Sequence, residues 1–179
     1  MNIIEEIVKK YEGEYAEEPK KASILAGGRY SFHPQKGVIE IDGTKISINI
    51  KAVGGASQTA EPYRFILYLD KDYGKKLEIF PKGNFKRLIE YVANIFSPPS
   101  EAIYKKYTFK GDSDLISKLK RDKSFCKKME DERLYILIWK KKPKHLVLTP
   151  AHGIDGVEHF EKILSILKII QSKIKGENA

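Results

Sequence analysis

Four histidines, a single cysteine and several lysine clusters are the side chains through which this chain could do chemistry. His145, His152 and His159 lie seven residues apart, a regularity that suggests a metal site. Their local contexts argue against it. His145 sits in a strand pattern, His152 in a glycine-containing loop and His159 at the start of a helical pattern, so equal spacing carries no geometric meaning. No HExxH is present, and no metal site is expected. Cys126 stands alone, which excludes an internal disulfide and a thiolate-rich metal site, and no histidine lies near it in sequence to activate a nucleophile.

The loop Ala151-His152-Gly153-Ile154-Asp155-Gly156 leads from a strand pattern into a helix pattern, a junction whose backbone N–H groups can hold an anion. Asp155 at the helix N-terminus makes a plain capping turn the better reading. Gly54-Gly55-Ala56-Ser57 precedes a strand and does not complete GxGxxG. No GxSxG occurs, and the pairs Asp70/Asp72 and Asp112/Asp114 fall where turns and caps use aspartate. These residues give no enzyme motif and imply no cofactor.

The basic clusters offer a binding surface instead. Lys140, Lys141, Lys142 and Lys144 crowd a hairpin tip, while Lys105 and Lys106 open a basic stretch that runs to Lys128. Tyr104, Tyr107, Tyr135 and Trp139 are interleaved, as a surface that stacks bases and neutralises phosphates requires. The six named lysines are the candidate nucleic-acid-binding residues, over residues 105–144. Arginine is the usual reader of base edges, however, and this half of the chain has only Arg121 and Arg133.

Composition tempers that reading. The net charge is +9, but only five of the 33 basic residues are arginine. Lysine enrichment with abundant Ile and Glu and only three Gln is a thermophile-like composition, and it needs no anionic partner. At 179 residues the chain is expected to form one domain over 1–179 with a sizeable core. No apolar run approaches the roughly 20 residues that span a bilayer. Glu5 and Glu6 stand where a signal peptide would be positive, so a soluble, cytoplasmic protein with no membrane partner is expected.

The elements that must position these groups follow from periodicity. Ile3, Ile4, Ile7, Val8 and Tyr11 recur at helical spacing behind a capping Asn2, and Gly13 opens an acidic connector. Residues 22–33 read as a strand bent at Gly27-Gly28. Ile39-Glu40-Ile41, Asp42-Gly43 and the alternation from Lys45 to Lys51 predict a hairpin with one wet face. Next come a polar loop over 54–62, strands over 64–69 and 76–80 joined by a turn at 70–74, and a helix over 84–96 capped by Asn84. Ser97-Pro98-Pro99-Ser100 ends that helix. Residues 103–109 read as a strand, and helices follow from Asp112 and from Ser124. Strands over 133–140 and 144–149 precede a long helix over 156–175, with Asp155 and Glu158 as a capping-box pair.

Two stretches look alike. FILYLDKDYGKKLEIFP (65–81) and YILIWKKKPKHLVLTP (135–150) are each strand, lysine-rich turn and strand, followed by a helix. Aligning Phe65 with Tyr135 and Leu77 with Leu146 predicts an internal pseudo-repeat, 64–96 and 133–175, with Leu77/Ile79 and Leu146/Leu148 in equivalent inward positions. The fold expected is α+β: an antiparallel sheet from two β-β-α units, helices packed on one face, plus the N-terminal helix and β-hairpin.

Gly37-Val38-Ile39-Glu40-Ile41-Asp42-Gly43, the loop from Gly54 to Tyr63, Tyr107-Thr108-Phe109-Lys110-Gly111-Asp112 and the terminal unit give a pattern that resembles an uncharacterised prokaryotic, archaeal-type family of domains of unknown function. The resemblance covers most of the chain and implies the fold, with no activity and no site residues. Three functions remain open: a non-enzymatic binding or protein-interaction domain, self-associating as a homodimer through a sheet edge; a nucleic-acid-binding protein; and an enzyme or small-molecule binder with its site between the two halves, lined by residues such as His152 and Arg64.

Overall fold

The structure, a computed structural model, describes residues 2–19, 21–25, 28–50, 63–82 and 99–176. The N-terminal periodicity forms α1 (Ile3–Lys10), where Asn2 Oδ1 accepts the Ile4 N–H at 3.0 Å and Ile4, Ile7 and Val8 are buried. The acidic connector then becomes a strand, β1 (Glu14–Glu17). Where one bent strand is expected over 22–33, two strands, β2 (Lys21–Leu25) and β3 (Gly28–Phe32), pair antiparallel with each other in a separate sheet. β4 (Gln35–Ile41) and β5 (Thr44–Ile50) turn at Asp42 and Gly43, whose φ values of 49° and 67° are those of the expected two-residue turn. The expected loop over 54–62 and helix over 84–96, with Asn84, lie outside the described residues.

β6 (Tyr63–Tyr68) and β7 (Leu77–Pro81) follow, and α2 (Pro99–Lys106) leads directly into β8 (Tyr107–Gly111). The strand expected over 103–109 is therefore half helix. Pro99 stands at the start of that helix, where its missing N–H costs nothing. α3 (Ser113–Arg121) and α4 (Lys123–Glu130) are capped by Asp112 and Asp122, each accepting an N–H at 2.9 Å. β9 (Leu134–Trp139) and β10 (Lys142–Pro150) form the last hairpin, and α5 (Val157–Lys175) closes the chain. Its buried stripe runs from Phe160 through Ile163, Leu167 and Ile170 to Ile174 as expected. The capping box does not form: Gly156 occupies the N-cap position with φ 138°, and no side chain caps the helix.

Eight strands make one antiparallel sheet in the order β1-β4-β5-β6-β10-β9-β7-β8. The fold is α+β, as expected, but β6 and β7 are not a hairpin. The β9–β10 hairpin lies between them, pairing Leu146 with Leu67 on one side and Ile138 with Leu77 on the other. Residues 69–76 are thus a crossover spanning three strand spacings, about 14 Å, which eight residues reach easily. The inward positions of the repeat hold: Leu77 and Leu146 flank Ile138, Ile79 and Leu148 flank Ile136, and all six are buried. The alignment of the first strands does not. Phe65 faces the core, whereas Tyr135 points to the opposite face, so Ile136 is its structural equivalent. A one-residue slip reverses every side chain of a strand.

The core face carries two rows, Ile39-Ile46-Leu67-Leu146-Ile138-Leu77 and Ile48-Phe65-Leu148-Ile136-Ile79. The helices cover it. α1 lies over Gly37, α5 sets Phe160 against Phe65 with ring centres 5.8 Å apart, and Leu115, Leu119, Phe125 and Met129 of α3 and α4 join the same cluster. Tyr107 is buried in it. Its hydroxyl donates to the Glu132 carbonyl and accepts the Leu134 N–H at 3.3 Å, which fixes the approach to β9.

Candidate functional site

Alternation places the remaining strand residues on the opposite, outer face. One row there runs Val38-Ser47-Ile66-Val147-Leu137-Glu78-Lys110 across seven strands. The wet face expected for the hairpin holds at Glu40 and Lys45, which are exposed, but not at Ser47 and Asn49, which are buried, with Asn49 Nδ2 donating to Ser47 Oγ at 3.0 Å and Ser47 sharing a hydrogen bond with the Tyr68 hydroxyl. Ile66, Val147 and Leu137 are half-buried apolar groups in the middle of this face. They floor a shallow groove of about 80 Å³, whose walls include Arg64, Trp139, Lys142, His145 and Thr149.

Aromatic and cationic groups surround that floor. Trp139 is 50% exposed. Tyr68 meets His145 edge to face at 4.9 Å, and the Lys45 ammonium lies 5.9 Å from the Tyr68 ring centre. Burial, with Lys142 nearby, holds the His145 imidazole below its ordinary pKa, so at neutral pH it is an uncharged ring. Tyr135 occupies the same face as Trp139, two intervals along β9. The arrangement offers flat π-surfaces, an apolar floor and cations at the margin. It can stack planar groups and neutralise anions between them.

The six lysines singled out from sequence divide. Lys140, Lys141 and Lys142 are exposed at the tip of the β9–β10 hairpin, beside Trp139, and Lys144 is exposed with its ammonium 3.4 Å from the Asp70 carbonyl. Lys105 and Lys106 end α2, at the opposite end of the strands, and Lys106 donates to the Glu130 carbonyl. Only Lys142 lines the groove, with Lys140 and Lys141 next to it at the hairpin tip; Lys144 does not line it. The aromatics divide too: Trp139 and Tyr135 face outward, Tyr107 is core, and Tyr104 lies on α2, where the Lys120 ammonium sits 3.8 Å from its ring centre. Sequence reasoning overlooked Tyr68, Lys45 and His145 as members of this face, and assigned Arg64 to a different site. A signal was present: the outward positions Ile66 and Tyr68 of β6 and Val147 of β10 are apolar or aromatic, where a solvated sheet face would be polar.

The enzyme reading placed His152 and Arg64 in one crease. They line different features. His152 lies in a larger crevice, of about 610 Å³, between residues 131–133, the loop after β10 and the first turns of α5. Glu132 lines it, its side chain 12% exposed, with Lys162 Nζ 2.8 Å from one oxygen and His159 Nε2 3.2 Å from the other. Burial alone would raise the Glu132 pKa, but the hydrogen bonds and charges of Lys162 and His159 bring it below the ordinary value. His159 Nδ1 accepts the Asp155 N–H at 3.2 Å, so Nε2 carries the proton and donates to Glu132. Both ring nitrogens are occupied, which leaves His159 no lone pair for a metal or a substrate proton. Among the described residues, no group of three or more His, Cys, Asp or Glu is placed to hold a metal ion. Cys126 is buried, and burial, with Asp122 beside it, raises its thiol pKa away from thiolate chemistry.

The chain matches no family model, no curated protein and no solved structure. Its functional reading therefore rests on the two faces of its own sheet and on the crevice at the sheet's end. Among the described residues, no helix is long and apolar enough to cross a membrane.

Proposed function

We propose that this protein is a binding module for single-stranded nucleic acid, and that the outer face of the sheet is its binding surface. The observation that carries the reading is Trp139, half-exposed on a sheet face in a groove that Arg64 and Lys142 also line. Sheets that bind single strands stack two or three bases on outward aromatics while cations track the backbone. Here Trp139, Tyr135 and Tyr68 supply the platforms, and Lys45, Arg64, Lys140, Lys141 and Lys142 supply the charge. The closed hydrogen-bond circuit of Glu132, His159 and Lys162 favours binding over catalysis.

Trp139 is the sole tryptophan, so its fluorescence reports on this face alone. An oligouridylate or oligothymidylate of about ten nucleotides should quench it saturably. Four phosphate contacts imply a salt slope of about −2.8, or an affinity that falls about 50-fold between roughly 50 and 200 mM salt. Trp139→Ala should weaken the binding of a labelled oligonucleotide about 5- to 150-fold, the range for one lost stacking partner. No quenching at the lower salt concentration, or unchanged affinity in the variant, would overturn the proposal.

A further inference from the structure

We infer that the protein associates head to tail with further copies of itself, the acidic edge β1 of one copy pairing with the basic edge β8 of the next so that the sheet continues. The inference concerns the two ends of the sheet and does not rest on the nucleic-acid reading of its outer face.

The two edges match in backbone direction. The Glu18 N–H donates to the Pro34 carbonyl at 2.8 Å, so even-numbered residues of β1 bond to β4, and Tyr15 and Glu17 turn their N–H and C=O groups away from the sheet. The Asp112 N–H donates to the Lys76 carbonyl and the Lys82 N–H to the Lys106 carbonyl, each at 2.9 Å. Even-numbered residues of β8 therefore bond to β7, and Phe109 turns its backbone outward. Tyr15 stands opposite Gly37 and Phe109 opposite Ile79, so both outward-bonding residues carry their side chains on the helix-covered face. Neighbouring strands alternate in direction, and over eight strands this leaves β1 and β8 antiparallel. A second copy advanced along the sheet thus sets its β1 antiparallel to β8, with Tyr15 opposite Phe109 and the covered faces continuous.

Charge selects the partner. The outer-face row that ends at Lys110 begins at Glu14, opposite Val38. With Tyr15 opposite Phe109, Lys110 faces Glu14 of the next copy, and the row runs on unbroken. Both side chains are exposed, and neither has an ion-pair partner among the described residues. Edge strands are commonly guarded by charge, and like charges on both edges would keep copies apart. Here β1 and its flanks carry Glu12, Glu14, Glu17 and Glu18, while β8 and its approach carry Lys105, Lys106 and Lys110. Each edge is guarded against itself and complementary to the other. A two-fold pair of β1 with β1, or of β8 with β8, gathers like charges, whereas the head-to-tail contact joins opposite ones. Such a contact does not close on two copies. Strand twist accumulated over eight strands turns each copy by roughly half a turn, so the product is an open helical chain.

The test is sedimentation velocity of the full chain, without nucleic acid, over a dilution series reaching about 1 mM protein at about 50 mM salt, where surface charges are weakly screened. The parent's mass should rise with concentration past that of two copies. Lys110→Glu and Glu14→Lys, both at exposed positions, should each weaken the association about tenfold, because an attractive cross-strand pair becomes a repulsive one. An equimolar mixture of the two variants should associate as the parent does, since the reversed charge of each meets its complement on the other. A two-fold contact predicts no such rescue. The inference is overturned if the parent stays monomeric throughout, if its mass levels off at two copies, if either variant alone associates as well as the parent, or if the mixture associates no better than the separate variants.

Discussion

Replacing Glu132 with Gln tests the central circuit of the crevice while preserving its shape. The carboxylate accepts two charge-assisted hydrogen bonds, from Lys162 and His159, in a side chain that is 12% exposed. Such bonds contribute about 1 kcal/mol more each than their neutral counterparts, so the variant should lose about 2 kcal/mol at neutral pH. Lys162 is one-third exposed and regains water when its partner loses charge, which keeps the cost below the full penalty of a broken buried pair. For a chain of this length, the melting temperature should fall by about 4–8 °C. The pH dependence supplies the sharper check. The folded pKa of Glu132 lies below its ordinary value of 4.5, so its contribution is present above that value and is lost as pH falls through the folded pKa. The stability gap between parent and Glu132→Gln should therefore be full near neutral pH and close as the pH falls below the ordinary carboxylate value and through the folded pKa. Urea midpoints measured across that range decide the matter. A gap that stays constant to low pH, or a variant as stable as the parent at neutral pH, would refute the argument.

Tyr107→Phe removes the hydroxyl shared by the Glu132 carbonyl and the Leu134 N–H. Leaving a buried N–H unsatisfied should cost about 2 kcal/mol in a urea titration, with faster amide exchange at Leu134. Gly37→Ala would place a Cβ 2.7 Å from side-chain carbons of both Ile4 and Val8. It should displace α1 and destabilise by about 1–3 kcal/mol, whereas Gly43→Asn, in an exposed turn where asparagine tolerates positive φ, should be nearly neutral. Cys126, the sole cysteine, should react with a disulfide reagent at neutral pH only as fast as the protein opens, so labelling should accelerate with urea; prompt labelling of the native protein would contradict its burial.

Local chemistry was legible in the sequence, and long-range pairing was not. The capped N-terminal helix, the Asp42-Gly43 turn and the stripe of α5 depend on residues within a few positions of one another, and each was read correctly. The separation of β6 from β7 depends on a hairpin some 70 residues later, and a lysine-rich turn at 70–74 is as compatible with a crossover as with a hairpin. Residues 103–109 misled because Ile103 and Tyr107, four apart, suit a helical stripe as well as a strand. Asp155 had the right position for a cap, but its backbone N–H is drawn to His159 Nδ1 while its side chain stays in solvent. For the candidate site, Trp139 and the hairpin-tip lysines were visible as types. Their union with Arg64, Tyr68 and Lys45 required the register of four strands.

The placement of the β9–β10 hairpin between β6 and β7 also bears on how the chain can be made. Synthesis proceeds from the N-terminus, so the centre of the sheet is the last part to arrive. Until residues 134–150 emerge, β6 and β7 each have a vacant side, and the strands behind them can form only two separate fragments, one of four strands and one of two. Leu67 and Leu146 must meet across about 80 residues of chain, which makes this a slow, non-local closure. In the interval, two apolar strand edges face each other with a two-strand vacancy between them. Any foreign hairpin of matching alternation can occupy it, and so can the same hairpin from another copy, which would exchange ends between molecules.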